Sequence, residues 1–178
     1  MIYIVTALKS EAQAFVDKYK LKKTKLANYI LFKHEYFTLI ISGVGIENSS
    51  LATATLLNHF SINSYDTFLN IGICGASKKY LIGDLLEISS INFNNNNFKI
   101  NQENKNIITC VHEEVFENKY DIVDMESYGF YKALINEISD IRILKVVSDN
   151  FEPEKVTKEQ TKLLIFNHVE EILKKVQT

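Results

Sequence analysis

A stretch of apolar residues with almost no polar interruption fixes the kind of sheet this chain can build. Ile141, Ile143, Leu144, Val146 and Val147 are separated only by Arg142 and Lys145. A strand with one wet face alternates, whereas a near-continuous apolar run belongs to a strand covered on both faces, as in the parallel sheets of α/β proteins. Such strands place ligand-contacting groups just beyond their carboxyl ends, and this one ends in Ser148-Asp149. A second strand end lies upstream. Ile122 and Val123 are β-branched and apolar, and Tyr128, Tyr131, Ala133, Leu134 and Ile138 then fall at helical spacing. Asp124, Met125 and Glu126 occupy the turn between them, with Glu126 at the start of a helix, where the dipole favours an anion by roughly 0.3–1 kcal/mol. Taken singly, Asp124 and Glu126 read as helix-start charges and Asp149 as a turn residue. Taken together, they put three carboxyls at two strand ends.

The rest of the chain alternates in the same way. Residues 2–5 read as a first strand, and Ser10 as the cap of a helix to residue 19 that carries Glu11 in its first turn. Residues 29–32 and 36–41 form a hairpin pattern, 49–60 a helix, and 67–74, 85–91 and 107–111 further strands. Residues 158–176 give a closing amphipathic helix with Leu163, Leu164, Phe166, Val169, Ile172 and Leu173 on its apolar side. The asparagine-rich residues 92–106 are too polar to pack and read as an exposed loop or hairpin tip. The expectation is an α/β fold in one domain over residues 1–178, a central mixed β-sheet flanked by helices. A chain of this size buries roughly 70% of its unfolded surface, enough for one such core.

Charge excludes several partners. Twenty basic residues against 22 acidic ones leave no net field to attract nucleic acid or anionic lipid, so neither nucleic acid nor a membrane is expected as a partner. No stretch of about 18 apolar residues offers a membrane span. Arg142 is the only arginine, so forked clamps for phosphate or carboxylate are scarce. Cys74 and Cys110 are the only cysteines, and the amino terminus runs directly into a strand, which together point to reduced thiols and the cytoplasm. None of His34, His59, His112 and His168 has metal-ligand spacing, and there is no Cys-x-x-Cys, so no metal is expected.

Glycines cluster at the predicted strand ends: Gly43, Gly45, Gly72, Gly75 and Gly83. There they let backbone amides approach a ligand or serve plain turn chemistry. Gly43-Val44-Gly45 lacks the third glycine of a dinucleotide fingerprint, and no cofactor is expected.

In chain order, Ala7-Leu8-Lys9-Ser10-Glu11, Ser42-Gly43-Val44-Gly45, Asn70-Ile71-Gly72-Ile73-Cys74-Gly75, Ile82-Gly83-Asp84, Val123-Asp124-Met125-Glu126-Ser127 and Val147-Ser148-Asp149 form a set. This set resembles the landmarks of the nucleoside phosphorylase superfamily, and most closely its 5′-methylthioadenosine/S-adenosylhomocysteine nucleosidase branch. The resemblance implies a three-layer sandwich, a small-molecule purine nucleoside as substrate, and a homodimer. It implies catalytic roles for Glu11, which would activate water, and for Asp149, steadied by Ser148, which would protonate the purine. Glu126 would hold the ribose hydroxyls and Met125 pack against the sugar, with Gly43, Gly72 and Ile73 also at the substrate. The loop containing Phe116 replaces the one that usually grips the base, with Phe116 as the stacking ring. The chain departs from the family pattern at Ile73, Ala76 and Lys145, where Ser, Gly and Arg are common, and it is short between the strands near Ile91 and Ile107.

These implied roles suit the chemistry of an N-glycosidic bond. Cleavage builds positive charge on the sugar and negative charge on the departing base, so an anion is needed near one and a proton donor near the other. A carboxylate accepts from two vicinal hydroxyls, and an Asp in a poorly hydrated pocket can keep a proton to donate. Phosphorolysis would need cations at the nucleophile. Arg142 is expected at the wrong end of its strand and Glu11 would repel phosphate, so water is the expected nucleophile; Lys9, Lys78 and Lys79 keep a phosphate-dependent phosphorylase as the alternative, beside a non-catalytic nucleoside-binding member.

Overall fold

The computed structural model describes residues 1–101, 105–138 and 140–177. Strand β1 (Ile2–Thr6) leads into helix α1 (Lys9–Tyr19), then β2 (Lys22–Leu26), β3 (Tyr29–Lys33), β4 (Phe37–Ile41) and helix α2 (Ile46–His59). Strands β5 (Thr67–Ala76), β6 (Leu85–Phe93), β7 (Asn96–Lys99), β8 (Asn106–Cys110) and β9 (Ile122–Asp124) follow. Helix α3 (Ser127–Leu134), β10 (Asp140–Asp149), a 3-10 turn at Pro153–Lys155 and helix α4 (Lys158–Gln177) complete the chain. Among the described residues no helix is long and apolar enough to cross a membrane.

The expected α/β class holds, and the sheet is mixed. β5 is its hub. It runs parallel to β1 through residues 67–70 and parallel to β10 from Thr67 to Gly75, while Gly75 and Ala76 pair antiparallel with β9. From β10 the sheet continues through β6 and β8 to β9 and so returns to β5, while β4, β3 and β2 extend outward from β1. The apolar run 141–147 is therefore what it reads as: a strand with neighbours on both edges and a core on both faces.

Period-two alternation divides those cores. Tyr3, Val5, Phe68, Ile143 and Val147 face one core with Leu56, Phe130 and Leu134 of α2 and α3. Ile2, Ile4, Leu69, Ile71, Leu144 and Val146 face the other, with Phe15 of α1 and Ile165 and Val169 of α4. The result is three layers, two helices on each face of the sheet.

Several local expectations change. Ser10 does not cap α1; Leu8 holds the cap position, and the Glu11 carboxylate accepts from the Ala7 and Leu8 amides instead, because an acid at the third helical position reaches back to the open N–H groups. On α4, Leu163 is 58% exposed and Ile165 is fully buried, since the inward stripe runs through Thr161, Ile165, Val169, Ile172 and Val176. β2 carries Lys22, Lys23 and Lys25, a composition that gives no strand signal but suits a sheet edge, where lysines discourage pairing with another chain. Only Asn94 and Asn95 of the asparagine stretch form a hairpin tip, with φ of 47° and 61° between β6 and β7, a left-handed pair that asparagine tolerates; Asn96–Lys99 is strand, and Phe98 and Ile100 pack against the core, which the polar composition did not lead one to expect. Residues 102–104 of that stretch lie outside the described residues.

Gly129 makes the α2–α3 packing possible. A Cβ on it would stand 1.9 Å from the Ile46 carbonyl oxygen, and backbone cannot yield as a side chain would. Gly129→Ala should therefore destabilise the protein by about 1–3 kcal/mol, the usual range for overpacking. The check is the midpoint of urea unfolding at unchanged slope; an unaltered midpoint would mean that the helices part without cost.

Candidate active site

The carboxyl ends of β1, β5, β9 and β10 surround a cleft of about 200 Å³. Glu11, Glu126 and Asp149 all line it, with Ile73, Met125 and Ser148. A groove of about 690 Å³ lies elsewhere, along Leu57, Asn58, Ile62 and Glu137, but it gathers no set of carboxyls.

Each acid is held by backbone. Glu11 is 2% exposed, and its Oε2 accepts from the amides of Ala7 at 2.9 Å and Leu8 at 2.8 Å, while Oε1 accepts from Ile73 at 2.9 Å. Burial raises its pKa above the usual carboxyl range; those N–H groups and the Lys145 charge oppose the shift without cancelling it. Glu126 takes the cap position of α3, and its Oε1 accepts from the Gly45 amide at 2.8 Å, at the amino end of α2. Two helix starts thus favour its charge. Burial still outweighs them, with Asp124 and Glu11 adding to the rise and Lys145 opposing it, and the carboxyl is pushed up to about 7. Oε2 of Glu126 has no hydrogen-bond partner among the described residues.

Asp149 Oδ1 accepts from the Glu152 amide at 2.9 Å, and Oδ2 lies 2.7 Å from Ser148 Oγ, which is itself 3.1 Å from the Cys74 carbonyl. A hydroxyl has one proton to give. With Asp149 ionised, Ser148 donates to Oδ2; with Asp149 protonated, the carboxyl can donate to Oγ while Ser148 turns its proton to the Cys74 carbonyl. The pair accommodates either state without leaving a buried donor unpaired.

Lys145 is the residue whose importance the sequence hid. It stood out as a polar break in an apolar run and as a departure from the family's arginine, yet it is 1% exposed and its Nζ lies 2.8 Å from Asp124 Oδ2. Alternation puts it on the same side of β10 as Ile143 and Val147, facing α2 and α3. Burial pulls the ammonium down, and Asp124, Glu126 and Glu11 more than reverse this, so it stays charged. Asp124 is completed by Ser127, whose amide and hydroxyl donate at 2.9 and 2.6 Å. The thiols of Cys74 and Cys110 are pushed well above their usual range, chiefly by burial.

Three expected residues lie outside the lining of the cleft. Gly72 is behind Glu11, where a Cβ would come within 2.8 Å of Oε1, so it makes room for the acid rather than for a ligand. Gly43 donates its amide to the Ala7 carbonyl at 3.1 Å, tying the loop after β4 to the end of β1. Phe116 is 60% exposed, and the loop delivers Glu113, Glu114 and Val115 to the wall in its place. Lys9, Lys78 and Lys79 are exposed and absent from the lining, with Lys79 3.5 Å from Asp121. Arg142 pairs with Asp140 at 2.7 Å at the start of β10, seven residues and roughly 20 Å from Asp149. No set of three or more His, Cys, Asp or Glu among the described residues has metal-holding geometry.

The family model described as the phosphorylase superfamily matches residues 1–123. The chain belongs to the phosphorylase superfamily. Solved structures of similar fold include the Neisseria meningitidis 5′-methylthioadenosine/S-adenosylhomocysteine nucleosidase in complex with methylthio-immucillin-A, at 15% identity and a TM-score of 0.78 over 98% of each chain. The Arabidopsis thaliana 5′-methylthioadenosine nucleosidase in apo form reaches 0.80 at 17% identity, over 98% of this chain and 95% of that one. The Helicobacter pylori futalosine hydrolase gives 0.74 at 15%, over 96% and 97%. At these identities the likeness is one of fold. No curated protein matches the chain. In this phosphorylase-superfamily fold the cleft lies where α/β sheets bind ligands, at the carboxyl ends of the parallel strands.

The buried pair sets a prediction. Removing one partner of a buried ion pair leaves an uncompensated charge, so Lys145→Met should cost about 3–5 kcal/mol, read from urea unfolding at neutral pH, with Lys145→Arg closer to wild type. Glu126 has the opposite linkage. A carboxyl whose native pKa is raised contributes stability at low pH and loses it as pH climbs from the ordinary value of 4.5 to about 7. Because Lys145 holds Glu126 down, Lys145→Met should move the Glu126 midpoint above about 7 in a carboxyl NMR titration. A midpoint that stays in place would mean that the two charges do not communicate.

Proposed function

We propose that this protein is a nucleosidase that hydrolyses the N-glycosidic bond of a purine nucleoside, of the 5′-methylthioadenosine/S-adenosylhomocysteine type, to free base and sugar. The observation that carries this is the convergence of Glu11, Glu126 and Asp149 on one cleft from three different strand ends. The activities of the proteins of similar structure, two of them methylthioadenosine nucleosidases and one a futalosine hydrolase, support the same class.

In this reading Glu126 Oε2 accepts from the ribose hydroxyls, with Met125 against the sugar face. Asp149 passes a proton to the leaving purine, and Ser148 follows by returning its hydrogen bond to the ionised carboxylate. Glu11, fixed by three amides and made more basic by burial, takes the proton of the attacking water. Water rather than phosphate is the nucleophile because no Lys, Arg or His among the described residues lines the cleft, and Lys145 is already committed to Asp124. Purified protein should release base from 5′-methylthioadenosine at a rate independent of added phosphate. Strict phosphate dependence would make it a phosphorylase, and binding without base release a non-catalytic member.

Two substitutions separate the roles. Asp149→Asn keeps shape but has no acidic proton, so kcat should fall by about 10²–10⁴ while substrate affinity changes far less; activity within a few-fold of wild type would remove Asp149 as the acid. Glu126→Gln should cost roughly 1.5–3 kcal/mol with ribosides and less with 2′-deoxyribosides, which already lack one hydroxyl. The ratio of their kcat/KM values should drop by about tenfold, and an unchanged ratio would take the sugar away from Glu126.

A further inference from the structure

The cleft has an unbalanced charge. Among the described residues its lining holds six carboxyl side chains, Glu11, Glu113, Glu114, Asp124, Glu126 and Asp149, and no cationic one. Lys145 behind the wall balances Asp124, to which it is bonded. Glu126 is 7% exposed and its Oε2 is unpartnered among the described residues, so it offers the cleft an acceptor for a neutral donor such as a hydroxyl.

Glu113 and Glu114 are different. The chemistry above does not use them, and they are exposed on the loop after β8. Acids elsewhere on that loop have cations: Glu117 pairs with Lys119 at 2.6 Å and Asp121 with Lys79 at 3.5 Å. The two that line the cleft have neither hydrogen bond nor ion pair among the described residues. A concave site lined by one sign of charge focuses its field on whatever enters, over a range of about 8 Å at physiological salt.

We infer that the cleft, on the nucleosidase reading, selects its nucleoside by charge, accepting neutral or cationic nucleosides and rejecting those that carry an anionic 5′ group, with Glu113 and Glu114 as the discriminating residues. Glu113 and Glu114 belong to the loop expected at the base, so they act on a 5′ charge through the field of the cleft and not by contact; the 5′ group is where a charge can vary without altering the glycosidic bond.

Three adenosine derivatives test this: 5′-methylthioadenosine, neutral; 5′-amino-5′-deoxyadenosine, cationic; and adenosine 5′-carboxylic acid, anionic. At low salt kcat/KM for the anion should lie at least about tenfold below that of the neutral compound, with the cation not disfavoured, and added salt should narrow the gap. In the double variant Glu113→Gln, Glu114→Gln the anion-to-neutral ratio should recover at least about threefold. A ratio that is the same in both proteins, or insensitive to salt, overturns the inference while leaving the nucleosidase reading intact. If no compound releases base, the nucleosidase reading fails, and the affinities of the same three compounds measured by calorimetry decide the charge selection: the same ranking, weakened in the variant, supports it, and equal affinities overturn it.

Discussion

The full-length parallel pairing of β5 with β10 is the constraint on which the rest of the structure depends. It brings the end of one strand, at Cys74 and Gly75, beside the end of the other, at Ser148 and Asp149. Once that register is set, the Cys74 carbonyl stands within reach of Ser148, and the Ile73 amide meets Glu11 from α1. The antiparallel contact of Gly75 and Ala76 with β9 then fixes where Asp124 and Glu126 emerge. A slip of one residue would turn every inward side chain of β10 to the opposite face. Lys145 would leave Asp124, and apolar residues would lose their core.

Electrostatics then acts within that frame. Three carboxyls and an ammonium are buried where water cannot screen them, so the charge of each depends on the others. Lys145 and Asp124 neutralise one another and are fully hydrogen-bonded with Ser127, the condition under which a buried ion pair is tolerated. Lys145 also restrains the upward drift of Glu126 and Glu11, leaving Glu126 near the middle of the physiological range. One cation, absent from the cleft lining, thus opposes the rise that burial imposes on Glu11 and Glu126.

Much of the architecture was legible before any coordinates. The α/β class, the order of strands and helices and the hairpin at residues 29–41 follow from periodicity, because burial imposes period two on strands and 3.6 on helices regardless of partner. The edge strand β2 was not legible, since lysines mask strand signal and the edge position that makes them suitable is a tertiary fact. Neither was the burial of Lys145: its neighbours in sequence are apolar, but only a carboxylate arriving from β9 can make that position habitable for a charge.

The sequence by itself determined which residue types stand at the strand ends, and its resemblance to the family grouped Glu11, Met125, Glu126, Ser148 and Asp149, all of which line one cleft. Where a strand ends is a matter of counting apolar residues, which is why Glu126, Ser148 and Asp149 could be read from pattern, whereas Glu11 and Met125 came from the resemblance. Only the tertiary structure decided how the remaining space was shared. Gly72 accommodates Glu11 instead of a ligand, Phe116 turns outward while Glu113 and Glu114 turn in, and Gly129 admits the backbone of α2. Those outcomes depend on contacts between segments far apart in the chain and on loops with no period to count, and local sequence carries no information about which distant atom will occupy a given space.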